Sequence, residues 1–188
     1  ELFIAGAPQL PGTYTSATAA WISGSGTLTV GSAAAAPAWW DSDGNTAGAG
    51  GATPTGTWGV DSFWSPSDAG DAATGAWSAG ATAAFAAGTD ATGTYTVTVD
   101  GSQDIGGLFF EEGEVTLSGG TGLRLVGDSY ASVASGLSAT VNTPLTEDAP
   151  RTMWKIGDGE LTLSGAPNSF TNLEVREGDV VIDDNTTL

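Results

Sequence analysis

One short pattern recurs along the chain and restricts the folds that it can adopt. The segment "EVTLSGG" at 114–120 returns as "ELTLSGA" at 160–166, and "GTLTVGS" at 26–32 is a third, looser copy. Each copy alternates apolar and polar residues and ends in a glycine corner, which is typical of a short strand followed by a turn. From residue 94 onward, similar runs begin mostly 7–12 residues apart. Near-identical short strands separated by corners indicate a solenoid, in which each strand stacks on its counterpart one rung away.

We therefore predict an all-β fold, a parallel β-helix (β-solenoid) with three short strands per rung of roughly 20–25 residues. A β-sandwich is the alternative. A sandwich usually has hairpin turns of the Asn-Gly type and a higher density of large apolar residues than this chain. In the solenoid, side chains that share one face of a strand point inward: Val115, Leu117, Leu161 and Leu163. Thr116 and Thr162 then point outward, because successive side chains of a strand alternate between its faces.

The pattern divides the chain into four segments. Residues 1–32 read as the closing strands of one solenoid unit, and 33–38 as a junction. Residues 39–93 form an irregular Trp-, Gly- and Ala-rich insertion that begins the next unit. Residues 94–188 supply the β-helix rungs.

Charge and composition exclude several classes of function. The 188 residues include 22 acidic and only 4 basic residues, a net charge of −18. Such a chain repels phosphate backbones and anionic lipid surfaces, so we expect no nucleic-acid partner and no membrane insertion. There is no Cys and no His, which removes thiol and imidazole chemistry.

We expect no enzymatic activity and no catalytic residues. Some parallel β-helices cleave polysaccharides, and glycoside hydrolysis needs two carboxylates placed on either side of one bond. Glu111 and Glu112 are adjacent, so in a strand they would point to opposite faces. The four basic residues are scattered and offer little charge neutralisation for a lyase: Arg124, Arg151, Lys155 and Arg176.

The segment "KIGDGELTLSGAPNSFTNLEVREGDVVI" at 155–182 resembles the autotransporter-associated β-strand repeat, also called the passenger-associated transport repeat. That family's pattern is Lys-x-Gly-x-Gly-x-Leu-x-Leu-Ser-Gly, then Asn-x-Tyr/Phe, then a strand and Gly. The matching residues here are Lys155, Gly157, Gly159, Leu161, Leu163, Ser164, Gly165, Asn168, Phe170 and Gly178. The family's Thr- and Gly-rich corner is replaced by "TNLEVREG". The resemblance, which covers about 39–188, implies a right-handed parallel β-helix on an exported bacterial protein, outside the cell or on its surface.

Both ends of the sequence read as strands without caps. The last residues, "VVIDDNTTL", and the first, "ELFIAG", join into an uninterrupted strand-turn-strand pattern. Unpaired strand edges are templates for adding another strand, and solenoids need capping repeats to stay soluble. We therefore expect a structural subunit or tandem repeat of an extracellular filament, with copies joined end to end either covalently or by stacking. The predicted assembly interface comprises Glu1, Leu2, Phe3, Ile4, Val181, Ile182, Thr186, Thr187 and Leu188. The alternative function is the passenger domain of an autotransporter-type adhesin that contacts glycans or surfaces.

Two further patterns suggest sites. Asp41, Asp43 and Asn45 alternate in "DSDGN", as at the start of a calcium loop, although a simple Asx-type turn is the preferred interpretation. Calcium is the one cofactor that this pattern allows. Seven Trp could stack on carbohydrate, but we favour core packing because each buries a large area in a region of small residues: Trp21, Trp39, Trp40, Trp58, Trp64, Trp77 and Trp154.

Overall fold

A computed structural model describes residues 3–4, 7–8, 12–17, 22–30, 35–165, 167–182 and 186–187. The chain forms two compact units, Glu1–Ala36 and Pro37–Leu188. The described residues of the first unit pair as two small antiparallel ladders. These are β1 (Phe3–Ile4) with β2 (Ala7–Pro8), and β3 (Gly12–Thr15) with β4 (Thr27–Val30).

The second unit is a parallel β-solenoid of about five turns, as the sequence predicts. Each turn from Ala81 onward contributes one strand to each of three faces. The first face is a seven-stranded sheet, in spatial order β20 (Asn172–Val175), β17 (Thr152–Ile156), β14 (Ser129–Val133), β11 (Gly107–Phe110), β8 (Ala81–Phe85), β5 (Ala35–Trp40) and β7 (Trp64–Ser65). Among these, β7 pairs with β5 in the antiparallel sense.

The second face is a six-stranded parallel sheet. Its order is β21 (Asp179–Ile182), β18 (Glu160–Leu163), β15 (Ser138–Val141), β12 (Glu114–Gly119), β9 (Thr94–Val99) and β6 (Gly56–Trp58). The third face comprises β10 (Ser102–Ile105), β13 (Gly122–Leu125) and β16 (Leu145–Glu147), followed by the pair β19 (Asn168–Ser169) and β22 (Thr186–Thr187). The ladders thus begin upstream of residue 94, because β5, β6 and β8 of the Trp-rich segment already belong to the first two faces.

The rung length follows from the register of the parallel pairs. Thr82 pairs with Gly107 twenty-five residues later, and Leu161 pairs with Val180 nineteen residues later. From β8 onward the parallel pairs are 18–25 residues apart, close to the predicted rung of roughly 20–25 residues. In the Trp-rich segment, Thr57 and its partner Thr98 are forty-one residues apart. Residues at equivalent positions of successive rungs therefore lie side by side, one strand spacing apart.

The six-stranded sheet shows this alternation most clearly. One inward row runs through Val97, Leu117, Val141, Leu163 and Ile182. A neighbouring outward row consists of Thr96, Thr116, Thr140 and Thr162, then Val181. Val115, Leu117, Leu161 and Leu163 are all at most 1 % exposed. The predicted division between inward Leu and Val and outward Thr is confirmed.

Candidate assembly interface

The last turn of the solenoid exposes the side chains that point into the core in every earlier turn. On the six-stranded sheet, Leu163 is fully buried, whereas its register partner Ile182 on β21 is 38 % exposed. On the seven-stranded sheet, Lys155 is fully buried and its partner Val175 on β20 is 51 % exposed. Because no further rung lies beneath them in the described residues, these side chains present an apolar surface, which we call the open rung face.

Four inward positions make up the open rung face: Leu173, Val175, Val180 and Ile182. Leu173 and Val180 are half-buried and pack against the core above them. Within the described residues, β20 and β21 each pair with only one strand, so one edge of each strand has unpaired backbone groups. An apolar row beside a free strand edge is suited to receiving another strand.

The buried Lys155 holds the penultimate rung to the last one. Its Nζ donates hydrogen bonds to the carbonyl oxygens of Ile156 (3.0 Å) and Gly157 (2.6 Å) in its own turn, and of Glu177 (3.1 Å) in the next turn. Burial lowers the pKa of Lys155, while the carboxylates of Asp179, Glu177 and Asp158 act in the opposite direction. The ammonium group therefore neutralises carbonyl dipoles at a corner where the chain must turn sharply.

The glycines after Lys155 complete this corner. Gly157 has a φ of +73°, and an added Cβ would overlap the carbonyl oxygen of Val133 in the preceding turn. Gly178 occupies the equivalent corner one turn later with a φ of +65°, and its Cβ would lie 2.5 Å from the carbonyl oxygens of Gly157 and Gly159. The Lys-x-Gly pattern seen in the sequence is thus a structural corner, in which only glycine fits between stacked turns.

Asn168 performs a related task on the third face. It is fully buried, and its Oδ1 accepts a hydrogen bond from the backbone N–H of Leu145 at 2.7 Å. Phe170, two residues later, is also buried. The Asn-x-Phe element therefore joins two turns and closes the core beside them.

The opposite end of this unit is closed by an aromatic cluster, which we define as Trp40, Trp58, Trp64, Trp77 and Phe85. The ring centroids of Trp58 lie 4.9 Å from those of Trp64 and 4.7 Å from those of Trp77. Trp40 and Trp58 are fully buried, and Trp64 is 4 % exposed. The predicted core role of these three Trp residues is confirmed, and they close this end of the described part of the Pro37–Leu188 unit.

The remaining Trp residues that the structure describes occupy less buried positions. Trp39 is half-buried, so the exposed Trp39–Trp40 pair that would indicate stacking on sugars is not seen. Trp154 lies on the outer surface of the seven-stranded sheet, with Tyr130 5.1 Å away in the preceding turn and the Arg176 guanidinium 4.8 Å from its ring centroid. Trp154 is therefore packed between side chains of the preceding and following turns. Trp21 lies outside the described residues.

The predicted interface residues fall in different places. Val181 and Ile182 lie on the edge strand β21, and Thr186 and Thr187 form β22 against Asn168 and Ser169. Phe3 and Ile4 form the short antiparallel ladder with Pro8 and Ala7. Glu1, Leu2 and Leu188 lie outside the described residues.

The "DSDGN" segment lies at the corner that follows β5. The Oδ1 atom of Asp41 accepts hydrogen bonds from the backbone N–H groups of Asp43 (3.1 Å) and Gly44 (3.0 Å), so the Asx-type turn is confirmed. Asn45 is exposed in the following loop. Across the described part of the chain, no three Asp, Glu, His or Cys side chains converge to hold a metal ion.

Acidic residues line a shallow cavity at one corner between the first and second faces. A cavity of about 450 Å³ is lined by Glu111, Glu112 and Glu114, among others. Burial raises the pKa of Glu112; the Ala91 N–H lowers it, and the charges of Asp90 and Glu111 raise it further. Burial also raises the pKa of Tyr95, with a smaller effect of the Glu112 charge. This corner therefore places several carboxyl groups close to a buried tyrosine.

Comparison with known proteins identifies no family for this chain. No protein-family model matches the chain, and neither the curated proteins nor the solved structures yielded a match. In the residues that the structure describes, no helix has the length and hydrophobicity needed to cross a membrane. The structure establishes a β-solenoid fold, and no family is identified for the chain.

Proposed function

We propose that this protein is a structural module of an extracellular bacterial filament, in which successive copies are joined end to end through the open rung face. The occupant of that face is the N-terminal segment of another copy. In this arrangement Glu1, Leu2, Phe3 and Ile4 of one copy add to the strand edge formed by Val181, Ile182, Thr186, Thr187 and Leu188 of the next. The resemblance of 155–182 to repeats of exported surface proteins supports the proposed location.

The observation that carries the proposal is the exposure of inward positions in the last turn. Ile182 and Val175 occupy rows whose earlier members are buried, and they are 38 % and 51 % exposed. Covering an apolar side chain of this size contributes about 1–2 kcal/mol at roughly 25 cal/mol per Å². A stacked rung would also pair the free backbone edge of β21, as neighbouring turns do throughout the solenoid.

The two ends of the solenoid unit differ, and this gives an assembly a direction. The aromatic cluster closes one end, where Trp58 and Trp40 are fully buried, while the open rung face lies at the other. Joining unlike surfaces of identical molecules produces a heterologous contact. Such contacts form rings when the rotation closes and filaments when it does not.

Introducing charge on the open rung face tests the proposal. Ile182→Asp and Val175→Asp place carboxylates where the next rung would pack, whereas Thr96→Asp adds the same charge to the outward face of β9. Sedimentation velocity and electron microscopy would follow each protein over a concentration series, with circular dichroism as the check on folding. We expect filaments from the wild type and from Thr96→Asp, and single copies from the two rung-face variants.

A wild type that remains monomeric at high concentration, with the same sedimentation as Ile182→Asp, would contradict assembly between separate copies. Where filaments do form, mass spectrometry of the denatured filament distinguishes stacked subunits from a covalent array. A species at 18.6 kDa indicates stacked subunits, and only much larger species indicate a covalent tandem array. Binding to an array of glycans by the monomer would instead favour the adhesin passenger.

A further inference from the structure

The four basic side chains of the chain are all engaged within their own molecule. Three of them form ion pairs of 2.7–3.4 Å with nearby acids: Arg124 with Asp104, Arg151 with Asp148, and Arg176 with Glu174. The fourth, Lys155, is fully buried, and its Nζ is bonded to three carbonyl oxygens. Because the sequence contains no other Lys or Arg, no basic side chain remains to form an ion pair with a second copy.

The last turn of the solenoid carries carboxylates around the open rung face. Glu174, Glu177 and Asp179 are all exposed, and Arg176 is the only basic residue in β20, β21 and the corner between them. Asp179 is the register partner of Glu160 one turn earlier, so two like charges already lie one strand spacing apart. Like charges directly opposite each other on neighbouring strands destabilise the pairing.

The proposed occupant of the open rung face does not compensate for these charges. Among residues 1–36, Glu1 is the only one with a charged side chain. The N-terminal segment therefore brings no basic side chain to the carboxylates of the last turn, and the copy that carries it has a net charge of −18. Electrostatic repulsion between copies thus opposes a contact that apolar burial and strand pairing favour.

We propose, taking the filament contact above as given, that the salt concentration of the surroundings controls end-to-end assembly. Mobile cations must screen the carboxylates of the last turn before two copies join. Screening acts strongly on exposed charges, since the Debye length falls from about 30 Å at 0.01 M salt to about 3 Å at 1 M. Burial of Val175 and Ile182 is an apolar effect that needs no such screening. The protein therefore exists as separate copies in dilute salt and as filaments in concentrated salt.

Two double variants remove the same charge at different distances from the open rung face. The last-turn variant combines Glu177→Gln with Asp179→Asn, and the distant variant combines Asp100→Asn with Glu114→Gln. Asp100 is exposed directly after β9, and the exposed Glu114 begins β12, three strands away from β21 in the same sheet. The amide oxygen in Glu177→Gln can still accept the hydrogen bond from the Gly157 N–H, so this corner keeps its contact.

Sedimentation velocity over a sodium chloride series measures the critical concentration for assembly of each protein, with circular dichroism as the check on folding. For the wild type we expect this concentration to fall by about tenfold or more between about 0.01 M and 1 M salt. The last-turn variant should assemble at lower salt than the wild type and depend less steeply on salt. The distant variant should follow the wild type more closely, although its net charge equals that of the last-turn variant.

The possible failures of this proposal and of the filament contact are distinguishable. Wild-type filaments that form equally well at every salt concentration would overturn salt control and leave the end-to-end contact intact. Equal shifts in the two double variants would also overturn it, because the carboxylates of the last turn would then have no special part. A wild type that stays monomeric at every salt concentration would overturn both the salt control and the contact on which it depends.

Discussion

Leu163 and Ile182 are register partners on adjacent strands of the six-stranded sheet, yet the first is fully buried and the second is 38 % exposed. The two residues lie one turn apart in the solenoid, and both have aliphatic side chains of the same size. The difference in exposure is therefore set by whether another rung lies beneath. The same contrast between neighbouring turns recurs for Lys155 and Val175 on the seven-stranded sheet.

Truncation of these partners should have unequal effects on stability. Leu163→Ala leaves a cavity in the closed core and should lower the free energy of unfolding by about 2–5 kcal/mol. Ile182→Ala removes a side chain that is already partly in solvent, so its effect should be below about 1.5 kcal/mol in the monomer. Chemical denaturation at low protein concentration measures both. Equal losses would mean that Ile182 is covered in the monomer.

Replacing Lys155 should be far more disruptive than replacing an exposed cation. Lys155→Met leaves the carbonyl oxygens of Ile156, Gly157 and Glu177 without this donor, and we expect a loss of about 2 kcal/mol or more. The matched control is Arg124→Met, which breaks the exposed ion pair with Asp104 at 2.7 Å and should lose less than about 1 kcal/mol. Similar losses in the two variants would argue against the corner role of Lys155.

Glycine substitutions at three loop positions should separate steric overlap from backbone strain. Gly70 has a φ of +69°, and an added Cβ would overlap the carbonyl oxygen of Gly48. Gly51 has a φ of +98° with nothing within 4 Å, and Gly75 has open space without a positive φ. We expect alanine at Gly70 to destabilise most, at Gly51 by about 1 kcal/mol, and at Gly75 least. Thermal melts of the three variants give the order, and a Gly70→Ala protein as stable as Gly75→Ala would contradict it.

Two buried carboxyl groups should make the folded state more stable as the pH falls toward their ordinary pKa values. The pKa values of Asp41 and Glu112 are raised above their ordinary values of 3.8 and 4.5, chiefly by burial. The folded state therefore keeps these protons to higher pH than the unfolded state does. Their contribution is complete below the unfolded pKa and is lost as the pH rises through the folded pKa.

The opposite shifts act only at lower pH. The hydrogen bond from Arg124 lowers the pKa of Asp104, so its contribution is lost as the pH falls below the ordinary range. Melting temperatures should fall as the pH rises above the ordinary pKa values of 3.8 and 4.5 in the wild type, and should change less in an Asp41→Asn, Glu112→Gln double variant. Parallel curves for the two proteins would show that other groups dominate.

Local periodicity was sufficient to predict the solenoid and its faces. The alternation of Thr116 with Val115 and Leu117 determines which side chains point inward, because a strand offers only two faces. Repetition of that alternation at 160–166 then specifies stacking, since only a rung-like arrangement places both copies in equivalent environments. These inferences need no knowledge of distant contacts.

Other features depend on contacts that no local pattern contains. The lysine of a Lys-x-Gly motif reads as a solvated charge, yet Lys155 is buried because three carbonyl oxygens of two turns converge on it. The antiparallel pairing of Trp64 with Trp40 closes one end of the solenoid unit, and no alternation in that segment signals it. The burial of Asp41 likewise follows from the packing of the corner and not from the spacing of "DSDGN".

The placement of tryptophan gives this solenoid separate optical probes for its two ends. Trp58 is fully buried in the aromatic cluster, whereas Trp154 lies half-buried on β17, next to the last strand of its sheet. Rungs of a solenoid contact only their neighbours, so fraying begins at a terminal rung and propagates along the stack. Emission from Trp154 should therefore change at a lower denaturant concentration than emission from the cluster. The difference between the two midpoints would measure how cooperatively the turns unfold.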